Sequence, residues 1–135
     1  MSAAGYGATP LVQKLGFKSG MTAAFLDAPG ELGALLGDLD GVTVRERLGG
    51  RLDLVLCFVT QRAALARRAA ALRRAAQPDG MVWICWPKQA SKVPTDVTED
   101  VVREVLLPTG LVDTKVAAID ATWSGLKLMV RRELR

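Results

Sequence analysis

The sequence predicts a three-layer α/β fold, in which helices cover both faces of a mostly parallel sheet. Two nearly continuous apolar runs, LDLVLCFV (52–59) and MVWICW (81–86), are typical of strands that are covered on both faces. A segment with helical spacing of apolar residues separates them, and strands that alternate with helices indicate a parallel sheet. Near the carboxyl end, two strand-like runs joined only by ATWSG (121–125) predict a closing antiparallel hairpin.

The first half of the chain is predicted to contain two helices and two strands. The first helix is expected to end at Gly16, because glycine readily takes the left-handed conformation that closes a helix. Four leucines at helical spacing predict the second helix, whereas alternation of apolar and polar residues predicts the second strand. In chain order the segments are a helix within 9–20, a strand at 21–28, a helix at 30–39 and a strand at 42–48.

The second half is predicted to contain four strands and two helices. Thr60 is the expected cap of the helix that follows LDLVLCFV. Asp96 and Glu99 form a capping-box-like start to the next helix, which Pro108 and Gly110 end. In chain order the segments are a strand at 52–59, a helix at 61–77, a strand at 81–86, a helix at 97–107, and strands at 111–120 and 126–132.

The length of 135 residues suits a single domain, with 1–20 predicted as an amino-terminal arm and short helix and 21–135 as the α/β core. Half of the residues are hydrophobic and 24% are charged, which is a globular composition. No apolar run approaches the roughly 20 residues of a membrane helix, and the amino terminus lacks the pattern of a secretion signal. We therefore expect a cytoplasmic protein without membrane contact.

Residue types that commonly carry out chemistry are sparse in this chain. There is no histidine, the commonest general base and metal ligand. Cys57 and Cys85 each lie within an apolar run, as structural thiols do. Two cysteines without a histidine leave a zinc site short of ligands. The sequence therefore argues against a metal site and against a serine–histidine triad.

The net charge of +4 raises the question of nucleic acid as a partner. The arginines of the predicted helix at 61–77 are expected to form a solvated face, with a basic stripe for nucleic acid as the alternative. These arginines are Arg62, Arg67, Arg68, Arg73 and Arg74. No recognition motif accompanies the charge, so nucleic-acid binding ranks lowest among the functions considered.

The second half of the chain resembles that of class I, S-adenosylmethionine-dependent methyltransferases, which have a Rossmann-like fold. The matching residues are LDLVLCFV, ALRRAAQPDGMVWICWPK and GLVDTKVAAIDATWSGLKLMVRR, within 50–133. The resemblance lies in the order of elements: strand, helix, buried strand, helix and antiparallel hairpin. Because such folds host many functions, it implies a reduced methyltransferase-like fold and not an activity.

Four longer stretches carry a second resemblance, which covers the whole chain: GYGATPLVQKLGFKSG, DLVLCFVTQRAAL, VWICWPKQASKVPTDVTEDVVREV and GLVDTKVAAIDATWSGLKL. In these stretches the chain resembles a family of small bacterial proteins called domain of unknown function 3052. This resemblance implies a compact methyltransferase-like domain, and it brings no catalytic residues to carry over.

The methyltransferase resemblance implies a site for S-adenosylmethionine, with a glycine-rich turn after the first strand and an acidic residue ending the second. Here the first turn is LDAPGELG (26–33), which contains Asp27 but is interrupted by Pro29 and lacks a G-x-G. Glu46 is the acid near the end of the second strand, between two arginines that compete for it. Only GGR (49–51) stands where the family has a further helix and strand. We therefore do not expect an intact site for S-adenosylmethionine.

Ligands of open α/β sheets bind beyond the carboxyl ends of the strands, where the strand order reverses. This rule selects the loops at 27–31, 60–62 and 87–98. The candidate ligand-binding residues in and beside these loops are Asp27, Gly30, Thr60, Arg62, Trp86, Lys88, Ser91 and Thr95. Thr60 is better explained as a plain helix cap than as a catalytic hydroxyl, and Arg62 could meet an anionic ligand.

Lys88, which follows the buried strand MVWICW, is the candidate for catalysis. A lysine beside apolar walls can have a lowered pKa and act as a base or nucleophile. The alternative, which we favour, is that it ends a strand in solvent or pairs with a carboxylate such as Asp96. Lys88 and Lys92 could also hold an anion together with Ser91 and Thr95. The acidic residues that follow argue against such an anion.

The aromatic residues offer further candidates for the crevice. Trp83 and Trp86 are three apart in one strand and must face opposite sides of the sheet. Trp86 is the candidate crevice wall and Trp83 a core residue. Trp123 lies in the hairpin turn, where it either contacts another chain or folds back onto the sheet. Tyr6 either covers the crevice or is disordered.

Taken together, the residues favour a non-catalytic module that binds a small ligand or a partner protein. The alternative is a small transferase that uses S-adenosylmethionine or a nucleotide, with Lys88 or Asp27 among its polar groups. The sequence leaves the oligomeric state open.

Overall fold

The computed structural model describes residues 9–135, and the expectation for Tyr6 lies outside that range. Within it the helices and strands follow one another in the predicted order. They are α1 (Leu11–Leu15), β1 (Thr22–Leu26), α2 (Leu32–Leu36), β2 (Thr43–Arg45), β3 (Leu54–Phe58), α3 (Arg62–Ala75), β4 (Met81–Pro87), α4 (Glu99–Leu106), β5 (Leu111–Ala118) and β6 (Trp123–Val130).

The six strands form one sheet in the order β2-β1-β3-β4-β6-β5. Strands β2, β1, β3 and β4 are mutually parallel. Strand β6 runs antiparallel to both β4 and β5. The predicted mostly parallel sheet with a closing antiparallel hairpin is therefore confirmed.

Two apolar clusters, one on each face of the sheet, define the three layers. Leucines of α1 and α2 pack on one face, together with alternate residues of β3 and β4. The apolar residues of α3 and α4 pack on the other face with the intervening strand residues. Trp83 and Trp86 accordingly fall in different clusters, as their spacing predicts. The indole N–H of Trp83 donates to the Leu15 carbonyl at 2.9 Å, so this fully buried donor is satisfied.

The central strands are covered on both sides, which explains their continuous apolar sequence. Every residue of β3 is buried, with exposed fractions of 3% or less. Burying one leucine-sized side chain contributes about 1.5–3 kcal/mol, so these strands supply much of the stabilisation. Cys57 and Cys85 are free, buried and on opposite faces of the sheet.

The capping of α3 and α4 differs from the sequence prediction. The residue before α3 is Gln61 and not Thr60, and the Asp96 carboxylate accepts a hydrogen bond from the Arg62 N–H at 2.7 Å. Thr98, and not Asp96, precedes α4, and its hydroxyl accepts from the Val101 N–H at 3.2 Å. The predicted cap at Thr60 and the capping box starting at Asp96 are therefore wrong, because Asp96 caps the other helix.

Two elements of the first half are shorter than predicted. Helix α2 ends at Gly37, where φ is +73° and the chain leaves the helical path. Strand β2 has three residues where the sequence predicts a strand over 42–48, and all three are exposed. It pairs with β1 alone among the described strands, so nothing extends its ladder. Neither helix nor strand forms over 46–53, where the methyltransferase pattern has both.

Candidate functional site

A crevice lies beyond the carboxyl ends of β1 and β3. The chain passes from β1 outward to β2 and then returns to β3 on the other side of β1, so the strand order reverses between β1 and β3. This is the switch point at which open α/β sheets bind their ligands. The crevice encloses about 420 Å³, and its lining consists of Asp27, Phe58, Val59, Thr60, Gln61, Ala64, Arg67, Arg68 and Trp123.

Asp27, the first residue after β1, carries the crevice's carboxylate. Its backbone has φ of +54°, which is the left-handed region that few residues other than glycine adopt. The Asp27 carboxylate lies 2.9 Å from the Arg68 guanidinium on α3. This ion pair links the end of β1 to α3 across the crevice.

Arg68 also contacts Cys57, a buried core residue of β3. Its guanidinium lies 3.7 Å from the Cys57 sulfur, in hydrogen-bonding geometry. Burial raises the pKa of the Cys57 thiol, and the contact with Arg68 offsets this only in part. The thiol is therefore neutral and protonated near pH 7, which makes it a poor nucleophile. Arg68 is fixed at two points, by Asp27 and by Cys57.

Arg67 lines the same crevice from the preceding position of α3. It is exposed, and within residues 9–135 no carboxylate pairs with it. The charges that line the crevice are thus two guanidinium groups and one carboxylate. Because Asp27 balances Arg68, one positive charge on Arg67 is left over.

Trp123 forms the aromatic wall of the crevice. It is the first residue of β6 and packs edge-to-face on Phe58, with ring centroids 5.1 Å apart. The hairpin before it is held by Asp120, whose carboxylate accepts from the N–H groups of Thr122 and Trp123, both at 2.8 Å. Of the two alternatives left open by the sequence, Trp123 thus folds back onto the sheet.

The loop at 88–98 does not line the crevice but is tied to the start of α3. The Thr95 hydroxyl donates to the Thr60 carbonyl at 2.7 Å, and the Asp96 N–H donates to the same carbonyl at 3.3 Å. Together with the Asp96 cap on α3, these bonds fix the loop over the helix start. The Ser91 hydroxyl is likewise used internally, donating to the Lys88 carbonyl at 2.6 Å.

Lys88 stands at the end of β4, outside the crevice lining. Among the described residues it forms hydrogen bonds only through its main chain, where its N–H donates to the Thr122 carbonyl at 2.7 Å. The Asp96 carboxylate, suggested from the sequence as its ion-pair partner, is taken by the Arg62 N–H. The geometry thus favours the interpretation of Lys88 as the end of a strand.

The other candidates are spread over several places. Asp27 and Thr60 meet in the crevice, as the switch-point rule predicts. Trp86 is 7% exposed and packs in the core on the side of α3 and α4. The Arg62 guanidinium pairs with Glu104 on α4 at 2.9 Å. A Cβ built at Gly30 would meet no atom within 4 Å, so no protein contact requires glycine there.

The sequence candidates leave out several residues that line the crevice, among them Arg67, Arg68 and Trp123. The arginines were assigned to a solvated helix face, because the pattern alone does not show which side of α3 borders the crevice. The spacing Ala64-x-x-Arg67-Arg68 does indicate that these three residues lie together, since residues three and four apart share a helix face. A small residue one turn before two arginines leaves room for a ligand beside them.

Two further classes of site find no support in the described range. Within residues 9–135 no cluster of three or more cysteine and carboxylate side chains has the arrangement of a metal site. No helix in that part of the chain has the length and apolar character needed to span a bilayer.

No protein-family model matches the sequence, and no curated protein does either. The structure is similar to a SAM-dependent methyltransferase from Aquifex aeolicus, with a TM-score of 0.61 and 16% identity over 90% of this chain and 88% of that chain. It is also similar to ribosomal protein L11 methylase from Lactobacillus delbrueckii subsp. bulgaricus, with a TM-score of 0.56 and 13% identity over 90% and 76% of the two chains.

A third similar structure is magnesium protoporphyrin IX methyltransferase from Synechocystis PCC 6803 with bound SAM, at a TM-score of 0.50 and 12% identity over 90% and 74%. At such identities the similarity shows the fold alone. The chain therefore has the Rossmann-like fold of class I methyltransferases. Its resemblance to domain of unknown function 3052 stays a prediction.

Proposed function

We propose that this chain is a small-ligand-binding module that uses the crevice beyond β1 and β3, without acid–base catalysis on the ligand. The observation that carries the proposal is the crevice itself, which encloses about 420 Å³ at the switch point of the sheet. Small-molecule sites commonly measure about 300–1,000 Å³ and combine apolar walls with a few polar groups. The crevice has both properties.

The titratable groups of the crevice support binding more than catalysis. Within the described range they are Asp27, Arg67 and Arg68. Arginine stays protonated at physiological pH and cannot serve as a base. The Asp27 carboxylate is engaged by the protein itself, in an ion pair with the Arg68 guanidinium at 2.9 Å. Lys88, the catalytic candidate from the sequence, lies outside the lining.

A small transferase that uses S-adenosylmethionine is the second candidate. It is favoured by the structural neighbours, one of which has SAM bound. Two features weigh against it. Pro29 interrupts the turn after β1, and this turn lacks the G-x-G motif that lets the backbone approach a cofactor closely. Glu46, the candidate ribose ligand, is exposed beyond the short edge strand β2 and does not line the crevice.

A thermal-shift panel with a matched pair of variants tests the proposal. The compounds are S-adenosylmethionine, its demethylated product, ATP and AMP. Ala64→Phe fills the crevice from α3, whereas Ala70→Phe adds the same side chain on an exposed position of the same helix. A ligand at about 100 times its dissociation constant should stabilise the fold by about 2.7 kcal/mol, or several degrees in Tm.

We expect at least one compound to stabilise the wild type and Ala70→Phe but not Ala64→Phe. A flat response across the panel would overturn the proposal, as would a shift that Ala64→Phe retains. Release of the demethylated product from S-adenosylmethionine, measured with a methyl-acceptor mixture, would instead establish the transferase.

A further inference from the structure

We infer that the crevice selects a ligand with an anionic group beside a planar ring, as in a nucleoside monophosphate, with Arg67 binding the anion and Trp123 packing against the ring. The inference rests on the proposed small-ligand function and adds to it the chemical class of the ligand. It is carried by the charge balance of the crevice and by the position of its aromatic wall.

The charge balance leaves Arg67 free for a ligand. Arg68 is occupied by Asp27 at 2.9 Å and by the Cys57 sulfur at 3.7 Å. On the same helix Arg62 pairs with Glu104, and Arg73 donates to the Thr109 carbonyl at 3.1 Å. Within residues 9–135 Arg67 has no such partner, yet it borders the crevice.

The position of Arg67 suits an anion that also occupies the crevice. A guanidinium presents its donors in a planar fork, which matches phosphate or carboxylate in a two-point contact. Arg68 beside it is held in place by Asp27, which balances its charge, and by the Cys57 sulfur. The net charge of the three ionised groups is positive and therefore favours an anion.

The aromatic wall is set before a ligand arrives. Trp123 packs against Phe58 and is anchored through Asp120, and it remains half-buried at the edge of the crevice. A fixed indole offers a flat apolar surface for a ring at little entropic cost. The Ala64 methyl group on the helix side leaves room between α3 and the indole.

The same charge balance predicts an order of affinity within the compounds of the proposed function. S-adenosylmethionine carries a sulfonium cation that its demethylated product lacks. A positive crevice therefore favours the product over the methyl donor, and AMP over uncharged adenosine.

Titration calorimetry with AMP and adenosine, at one fixed low ionic strength, tests the inference. We expect AMP to bind at least about tenfold more tightly than adenosine, since charge-assisted hydrogen bonds are about twice as strong as neutral ones. Arg67→Gln should remove that preference, whereas Arg74→Gln, on an exposed position of α3 outside the crevice, should keep it. Trp123→Leu should weaken both ligands, with the Tm of each variant measured to verify folding.

The failure of this inference differs from failure of the proposed function. Equal affinity for AMP and adenosine would overturn the anion selection and leave a small-ligand site standing. An AMP preference that survives Arg67→Gln would overturn the assignment to Arg67. Tighter binding of S-adenosylmethionine than of its demethylated product would also overturn the inference. If none of these compounds binds, both the inference and the proposed function are wrong.

Discussion

Lys115 and Lys127 lie directly opposite each other on β5 and β6. Partial burial lowers the pKa of Lys127, and the positive charge of Lys115 lowers it further. Like charges in a cross-strand pair destabilise a sheet. Lys115 finds one compensating contact, since its ammonium donates to the Lys14 carbonyl at 3.3 Å. The pair therefore destabilises the sheet locally.

Replacing Lys127 with glutamine should raise the free energy of unfolding at pH 7. We expect a gain of a few tenths of a kcal/mol, because the pair is largely exposed and solvent screens the repulsion. Lys18→Gln, at an exposed position away from the pair, is the control. Urea denaturation followed by circular dichroism measures both variants, and a loss of stability in Lys127→Gln would contradict the interpretation.

The pH dependence of this effect has a definite sign. Because the folded-state pKa of Lys127 lies below the ordinary lysine value of 10.5, the unfolded chain binds more protons between the two values. The contribution of Lys127 to stability therefore rises with pH across that window. The difference in the free energy of unfolding between Lys127→Gln and the wild type should be largest below this pH window. It should shrink as the pH rises through the window.

At the scale of elements, the start of α3 depends on a loop distant in sequence. Asp96 accepts from the Arg62 N–H at 2.7 Å, while Thr95 and the Asp96 N–H both bond to the Thr60 carbonyl. These contacts join the loop after β4 to the helix after β3. They also hold Thr60 and Gln61 where they line the crevice.

Asp96→Ala should destabilise the protein by about 1 kcal/mol, the usual cost of losing a helix cap. Asp96→Asn should lose much less, because asparagine caps helices about as well as aspartate. Asp38→Ala, at an exposed loop position, serves as the control. Equilibrium unfolding gives the differences, and equal stability of Asp96→Ala and Asp38→Ala would show that the cap contributes nothing.

Local sequence patterns predict the buried strands of this fold but not the contacts between segments distant in sequence. The apolar runs at β3 and β4 were sufficient to identify both strands, because burial on both faces leaves a continuous signal. The cap of α3 was misassigned, because its donor and acceptor are 34 positions apart and only tertiary structure joins them. Strand β2 was predicted too long, because alternation does not reveal whether a strand has one neighbour or two.

The crevice was predictable only in part for a similar reason. The switch-point rule identified Asp27 and Thr60, since it needs only the ends of the strands. Arg67 and Trp123 enter the crevice through the rotation of α3 about its axis and the fold-back of the hairpin. Both depend on packing that a single sequence does not display.

At the scale of the whole molecule, the sheet is asymmetric. Strands β3 and β4 have hydrogen-bonded neighbours on both sides, whereas β2 has only β1 among the described strands. The segment at 46–53 passes from β2 to β3 without forming the helix and strand of the methyltransferase pattern. The first half of the fold is therefore reduced at the edge beside β2, whereas the crevice lies on the other side of β1.

This asymmetry predicts a gradient of amide hydrogen exchange across the sheet. Amides of β3 and β4 should exchange only through global unfolding, because their residues are buried and paired on both sides. Amides of β2 should exchange through local opening, since its three residues are exposed and held by one neighbour. The opposite edge, β5, should be intermediate, because seven of its eight residues pair with β6.

Exchange measured by mass spectrometry at several protein concentrations would test this gradient. We expect β2 to exchange fastest of the six strands, with no dependence on concentration. If β2 is instead protected as strongly as β4, and the protection grows with concentration, another copy of the chain covers this edge in solution. The open edge would then be an interface, because unpaired strand edges readily pair with another chain.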